Sequence, residues 1–560
     1  MKYLIIGAVA GGASTAARLR RLDEHAEIVI FERGQYISYA NCGLPYYIGD
    51  VIEDRNKLFV QTAASFATRF RIDVRVRTEV TAIDSAAKTI AAVDLRTGDE
   101  YYESYDKLIL SPGANPVVPS IPGVELEGIF TIRNVSDTDY IKAYVNKLSV
   151  RRAVVIGGGF IGLEMAENLH NLGLEITVIE LGNQILAPVD YPIAAIAQQH
   201  LRENGVNLLL NTSVDRFTKD EEEILVRLRG GETLHADIVI LSIGVRADTF
   251  LAETANLKIG TAGGILVNEF LQTSDPDIYA VGDAIQFSNP ISAKPAVTLL
   301  AGPANKQGRI CAGNVVFGNK YSYKGSINTA IVKLFDRNIG VAGMAAKHLR
   351  RSGIAHVVST VHGNSHAAYY PGAQLMTIQI AFSPVTGRLL GAQVIGRDGV
   401  DKRLDLLAEV IKQQGTIYDL MEIEHAYAPP FSSAKDPVNM VGFVADNILT
   451  GRLNIIQCAD LTDIAEDALL LDVRTEAEYN AGTVHGAVNI PLDELRNRLD
   501  EISENRTVYI FCQQGMRGYL AQRIIAQRLT NQVFNLSGGY LLYQSYCAEK
   551  MLLEGEMVCG

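Results

Sequence analysis

A second cysteine is missing where it would be most useful. The stretch YISYANCGLPYYIG, residues 36–49, holds Cys42 alone, so no internal Cys–Cys disulfide can cycle there. Cysteine is scarce throughout, with six in 560 residues, at 42, 311, 458, 512, 547 and 559. That is too few for a disulfide framework, and it fits a reducing, cytoplasmic setting in which single thiols do chemistry or simply pack. No apolar run approaches the ~18 residues a bilayer span needs, so no membrane association is expected. Positive charge is also short: the net charge of −12 argues against nucleic acid or a membrane surface as partner. A polyanionic ligand would therefore need a local basic pocket. What remains is ordinary globular composition, 48% hydrophobic and 20% charged, at a length that suggests three or four domains.

The N-terminus, MKYLIIGAVAGGASTAARLRR, has the lysine, apolar run and small residues of an export signal. Arg18, Arg20 and Arg21 follow the apolar part and favour a strand, a glycine turn and a helix instead. Gly7, Val9 and Gly12 take the three positions of a dinucleotide fingerprint, with valine departing from glycine at the second. Glycine there lets backbone approach a pyrophosphate, which then sits on helix amides. EIVIFERG supplies a second strand ending in Glu32, an acid placed to accept from a ribose. RRAVVIGGGFIGLEMAENL repeats the pattern in full with Gly157, Gly159 and Gly162, and EITVIE ends in Glu180. Two such units imply two dinucleotides and a relay between them. The charge of Glu180 would oppose a 2′-phosphate, so NADH is expected over NADPH.

Cys42 precedes Pro45 and YYIGDVI, which predicts a helix beginning at or just after the cysteine. A thiol at a helix N-terminus has its pKa lowered from ~8.5, giving the thiolate that attacks sulfur. With one redox thiol the outcomes are a sulfenic acid, a mixed disulfide with a small thiol, or a persulfide. The plain alternative is a small buried hydrophobe.

YDKLILSPGANPVVPSIPG (105–123) and TSDPDIYAVGDAIQF (273–287) are strands ending in glycine-bearing turns. In this order the motifs resemble the two-dinucleotide flavoprotein disulfide reductases, over residues 1 to about 446. The resemblance implies FAD on the first unit and NADH or NADPH on the second. Carried over, the cofactor contacts are Gly7, Val9, Ala10, Gly11, Gly12, Glu32, Arg33, Asn41, Ser111, Pro112, Gly113, Gly282, Asp283, Pro295, Leu300 and Ala301, with Gly159, Ile161, Gly162, Glu164, Glu180 and Gly244 for the nicotinamide nucleotide. GAVAGG, SYANCGLPYY, LAGPANKQGR and YAPPFSSAKDPVNMVG are similar to the coenzyme A disulfide reductase branch. That branch implies a mixed disulfide between Cys42 and CoA beside Ser38 and Asn41, with Arg18 and Arg21 on CoA phosphates. It also implies a homodimer in which Tyr369 and Tyr427 of one subunit reach the sulfur of the other. Ala10 stands where the peroxidases and NADH oxidases of this type carry a histidine. This counts against, but leaves open, a peroxidase or oxidase using a sulfenic Cys42; a non-catalytic redox sensor is a further alternative.

A new α/β pattern starts near Cys458. LDVRTEAEY (Asp472, Arg474, Glu478), HGAVNIP and CQQGMRG resemble a rhodanese sulfurtransferase domain. The loop from Cys512 to Arg517 predicts an anion nest of amides around the cysteine, with Arg517 adding fixed charge. Asp472 and Arg474 read as a structural ion pair, and cysteines 311, 458, 547 and 559 as packing or surface thiols without metal spacing. The fold expected is α/β: an FAD-binding domain (1–112 and 245–322), an NAD(P)H-binding domain (113–244), both Rossmann-like, an α+β dimerisation domain (323–446), a linker (447–457) and a rhodanese-like domain (458–560). The function expected is NAD(P)H- and FAD-dependent reduction of CoA persulfide, CoA disulfide or polysulfide, releasing CoA thiol and hydrogen sulfide. The C-terminal domain would deliver sulfane sulfur.

Overall fold

Apolar strands without alternation, such as YLII, KLIL, AVVI and IVIL, are buried on both faces of parallel sheets, as such sequences require. The computed structural model describes residues 1–147 and 149–555, and the chain divides into two bodies, residues 1–179 with 213–328 and residues 180–212 with 329–560.

In the first body, five parallel strands run in the order Ile278–Ala280, Lys107–Leu110, Lys2–Ile6, Glu27–Glu32, Asp73–Val76. Leu4 faces both Val29 and Leu108 across the ladder. The helix Ala10–Leu22 follows the first strand and its glycine turn and packs on the helix Ala301–Phe317. A second parallel set orders Glu175–Ile179, Arg152–Ile156, Ile238–Leu241 and Ile129–Thr131, with the helix Phe160–Asn171 after its central strand. Two Rossmann-like units therefore share this body, and the segment after residue 245 returns a strand to the first sheet.

The second body holds an antiparallel sheet, ordered Ala330–Leu334, Arg337–Gly343, Leu389–Gly396, Leu375–Phe382, Val357–Asn364. The helices Val400–Lys412 and Pro437–Leu449 belong to the same region. A further parallel sheet orders Ile455–Ile456, Val533–Leu536, Val508–Phe511, Leu469–Asp472, Val488–Asn489. Its last helix, Gly539–Glu554, packs on the helix Tyr191–Glu203. Glu549, 1% exposed, accepts there from Gln198 at 2.8 Å and faces Arg202 at 3.4 Å. His362 in turn bridges the hydroxyl of Thr377 and the carbonyl of Gly538 at 2.9 and 2.8 Å. Buried polar groups thus fasten the C-terminal region to its neighbours. Among the described residues no helix is long and apolar enough to cross a membrane. Cys311 and Cys458 are buried free thiols as expected; Cys547 differs, being disulfide-bonded, and Cys559 lies outside the described residues.

Candidate active sites

The first glycine turn is closed by necessity. Gly7 has φ +91°, and a Cβ on Gly12 would collide with the Gly7 carbonyl oxygen. Val9 occupies the cap position of the helix Ala10–Leu22, so its side chain is accommodated where the backbone turns rather than where it is closest. Gly11 faces the hydroxyl of Ser111, and Gly113 has φ +80°. Glu32 accepts from the amides of Ala8 and Gly34 at 2.9 and 2.7 Å, while Arg33 pairs with Glu79 at 3.5 Å. Gly282 donates to Gln307 at 2.7 Å, and burial raises the neighbouring carboxyl of Asp283, opposed by Arg133. Pro295 lies in the strand Pro295–Val297; Leu300 caps and Ala301 opens the helix Ala301–Phe317. The second turn repeats the geometry: Gly157 has φ +110°, a Cβ on Gly162 would strike its carbonyl, and Gly159 stands open with nothing near it. Ile161 is exposed just beyond, and Gly244, φ +117°, also faces open space. Glu180 follows the strand Glu175–Ile179 and accepts from the amide of Gly182 at 2.7 Å. These cradles fit dinucleotides: the first and third glycines are sealed by backbone and the middle position is free.

Arg133 is the cofactor-side residue that sequence reasoning missed. Its charge acts on Glu32 and on Asp283, and its guanidinium abuts Gly113. It comes from the turn after the strand Ile129–Thr131, far from any motif.

Ser38 connects two sites. Its amide donates to Ala8 in the first glycine turn, and its carbonyl accepts from Val60 and Gln61. Its φ of +44° is a left-handed conformation that a serine holds only when its surroundings fix it. Three residues later comes the short turn Asn41–Gly43, carrying Cys42, followed by the helix Leu44–Ile48. The helix starts as expected but is only five residues long, so its dipole is small. The expected lowering of the Cys42 thiol is not found. Loss of hydration raises it, and the carboxylates of Glu164 and Asp283 raise it further. Glu164 accepts from the hydroxyl of Tyr46 at 3.1 Å. Burial lifts the Glu164 carboxyl to about 7, against the Tyr46 hydrogen bond and aided by Glu167.

Arg18, Arg21 and Ser38 come together on one pocket of about 290 Å³, with Gln61, Asn305, Arg309, Phe66 and Phe70 also lining it. Arg20, between the two arginines in sequence, is instead buried and donates to four backbone carbonyls. The helix period alone separates a structural arginine from two that face a cavity. Arg309 and the two phenylalanines were not foreseen.

In the second body Tyr369 and Tyr427 meet hydroxyl to hydroxyl at 3.0 Å, both exposed. In the C-terminal sheet, Cys512 is 1% exposed and its sulfur accepts from the amide of Gly515 at 3.1 Å. Gly515, φ +109°, caps the helix Met516–Ala526 and turns that amide inward, so one donor of the expected nest is in place. Arg474 and Asp472 form the expected buried ion pair at 2.7 Å. Arg517 reaches the same loop, but Glu478 holds it through two contacts of 2.7 Å.

Comparison with known proteins agrees with this arrangement. Residues 1–301 match the pyridine nucleotide-disulphide oxidoreductase family, and residues 329–437 match the dimerisation domain of that family. The chain belongs to the pyridine nucleotide-disulfide oxidoreductases. It is a flavoprotein oxidoreductase of the type that uses FAD with a nicotinamide nucleotide. Residues 458–546 match a rhodanese-like domain. A coenzyme A disulfide reductase of Staphylococcus aureus is 35% identical over 444 residues, 79% of this oxidoreductase and 99% of the relative. The reduced CoADR-RHD of Bacillus anthracis superposes with a TM-score of 0.96 at 47% identity, covering 98% of each chain. A NAD-dependent persulfide reductase from A. fulgidus superposes at 0.91 with 35% identity, covering 97% of this chain and 100% of the other.

Proposed function

We propose that this oxidoreductase uses NADH, in preference to NADPH, to reduce the sulfur–sulfur bond of CoA persulfide, CoA disulfide or polysulfide at Cys42. The observation that carries the reading is a lone cysteine four residues beyond Ser38, which itself lines a pocket of three arginines. Arg18, Arg21 and Arg309 suit the phosphates of a nucleotide, and Phe66 and Phe70 offer an aromatic wall to its base. Ser38 and Asn41 then flank the chain that leads to sulfur. The domain limits read from the sequence, and the cytoplasm as its place of action, belong to the same proposal.

Cys42 thiolate attacks the CoA-side sulfur of CoA–S–SH, forming Cys42–S–S–CoA and expelling HS⁻. Bound FAD supplies the two electrons that derive from NADH. Two-electron cleavage of the mixed disulfide leaves thiolates on Cys42 and on CoA, and one proton releases CoA as thiol. In a homodimer the paired phenols of Tyr369 and Tyr427 from one subunit serve the cysteine of the other. When one phenol donates to its neighbour, the second proton remains available to a departing thiolate. Glu32, Asp283 and Arg133 hold the FAD side, and Glu164 orients the nicotinamide. In the C-terminal region Cys512 carries sulfane sulfur, and Gly515 with Arg517 steadies the charge on its sulfur.

Mass spectrometry of the protein purified without reductant tests this. A CoA-sized adduct on Cys42, lost on reduction, is the expected result. An unmodified Cys42 that also fails to couple to CoA disulfide in the presence of NADH would sink the reading.

A further inference from the structure

The loop that carries Cys512 is flanked by two guanidinium groups, and each is already committed. Arg474 is buried against Asp472 and spends a further donor on Gln513 in the loop, at 3.2 Å. Arg517, one-third exposed, is gripped fork to fork by both oxygens of Glu478. Glu478 is not a loose surface carboxylate. The amide and hydroxyl of Thr475 donate to it at 3.0 and 2.9 Å, closing the capping box of the helix Glu476–Asn480. Arg517 and these hydrogen bonds hold its carboxyl at about 2, so the pair stays ionised across the working pH range. Net charge beside the sulfur is therefore close to zero: the amide of Gly515 donates to Cys512, and Arg517, which also reaches the sulfur, does so only as half of its ion pair with Glu478.

This neutrality discriminates between sulfur donors by their leaving groups. Thiosulfate leaves as sulfite, a dianion that needs an uncommitted cation where it departs. An organic persulfide leaves as a thiol, which carries its proton away and needs none. We infer that Cys512 takes its sulfur from the persulfide of a low-molecular-weight thiol rather than from thiosulfate, because Glu478 neutralises Arg517. The step balances as Cys512–S⁻ + R–S–SH giving Cys512–S–S⁻ + R–SH, followed by Cys512–S–S⁻ + CoA–SH giving Cys512–S⁻ + CoA–S–SH. No external oxidant or reductant enters. The inference rests on the proposed role of Cys512 as a sulfur carrier and names the donor class for that site.

The test uses the full-length holoenzyme with glutathione persulfide or thiosulfate as donor and cyanide as acceptor. The intact protein is expected to show kcat/KM at least about tenfold higher with the persulfide, the scale of one half-screened charge. Glu478→Gln keeps the capping hydrogen bond but frees Arg517, and it should raise thiosulfate turnover about tenfold while the persulfide value moves far less. Thiosulfate turnover equal to or above persulfide turnover in the intact protein overturns the donor assignment, whatever the variant does. A donor ratio that Glu478→Gln leaves unchanged in folded, flavin-loaded protein overturns the part given to Glu478. No thiocyanate from either donor sinks the sulfur-carrier reading itself, a distinct failure.

Discussion

Tyr46 donates its phenol proton to Glu164 across 3.1 Å, one helical turn after Cys42. Cys42 and Glu164 sense each other electrostatically, so the thiol and the carboxyl do not ionise independently. Glu164 is the charge nearest neutrality in the site, with Tyr46 and Cys42 facing it from the neighbouring helix and turn and Glu167 from its own. Replacing it by glutamine removes an anion that opposes the thiolate. The midpoint of Cys42 alkylation by iodoacetamide should fall by about one pH unit. An unchanged midpoint would show that Glu164 does not set the thiol's protonation.

The same carboxyl makes a stability prediction with a definite sign. Its folded-state value of about 7 lies above that of an unfolded chain, so the native protein binds the proton more tightly. This contribution is complete below pH ~4.5 and disappears as pH rises through 7. Unfolding of Glu164→Gln by urea should be flatter than that of the parent between pH 5 and 8.

Cys42→Ser should abolish reduction of CoA disulfide and CoA persulfide while leaving the bound flavin reducible by NADH. Steady-state NADH oxidation and a single anaerobic NADH addition read the two effects separately. Retained turnover on either substrate removes Cys42 from the centre of the reaction. Conversely, Cys512→Ser should lose sulfur transfer and polysulfide use but keep CoA disulfide reduction.

Changing Arg18, Arg21 or Arg309 singly to glutamine should raise KM for CoA disulfide about tenfold. Pantethine, the disulfide without the nucleotide, should show no such change. The contrast separates loss of phosphate contacts from general damage to the helix Ala10–Leu22. Equal losses on both substrates would place the pocket outside the substrate path.

Arg403 and Asp436 form an ion pair at 2.6 Å with side chains 1% and 0% exposed. Ser432 and the amide of Val438 complete the carboxylate's partners at 2.7 and 3.0 Å. Asp436→Asn strands a buried guanidinium and should cost about 3–5 kcal/mol, measured by chemical unfolding. Because this pair lies beside the segment that carries Tyr427, activity should fall together with stability.

The glycine turns, the acids at strand ends and the turns that carry Cys42 and Cys512 were legible in the sequence because each depends on near neighbours in the chain. Gly7 and Gly12 collide locally, and Gly515 presents its amide three residues after Cys512. Arg133, Arg309, Phe66 and Tyr46 were not legible, since each gains meaning only from a segment tens or hundreds of residues away. The Cys42 environment misled for the same reason. The helix was foreseen, yet Glu164 and Asp283, which oppose the thiolate, arrive from other parts of the body. Arg20 shows the converse, because its neighbours in sequence face a cavity while it satisfies carbonyls of the chain.

Glu549 and His362 lie at a seam that a shorter version of this enzyme could not inherit unchanged. Ending the polypeptide near residue 446 would remove the carboxylate that meets Gln198 and Arg202 and the carbonyl that meets His362, leaving three polar side chains facing a newly wetted face. Losing the appendix is thus no simple deletion: those positions would need to be repainted for solvent at the same time.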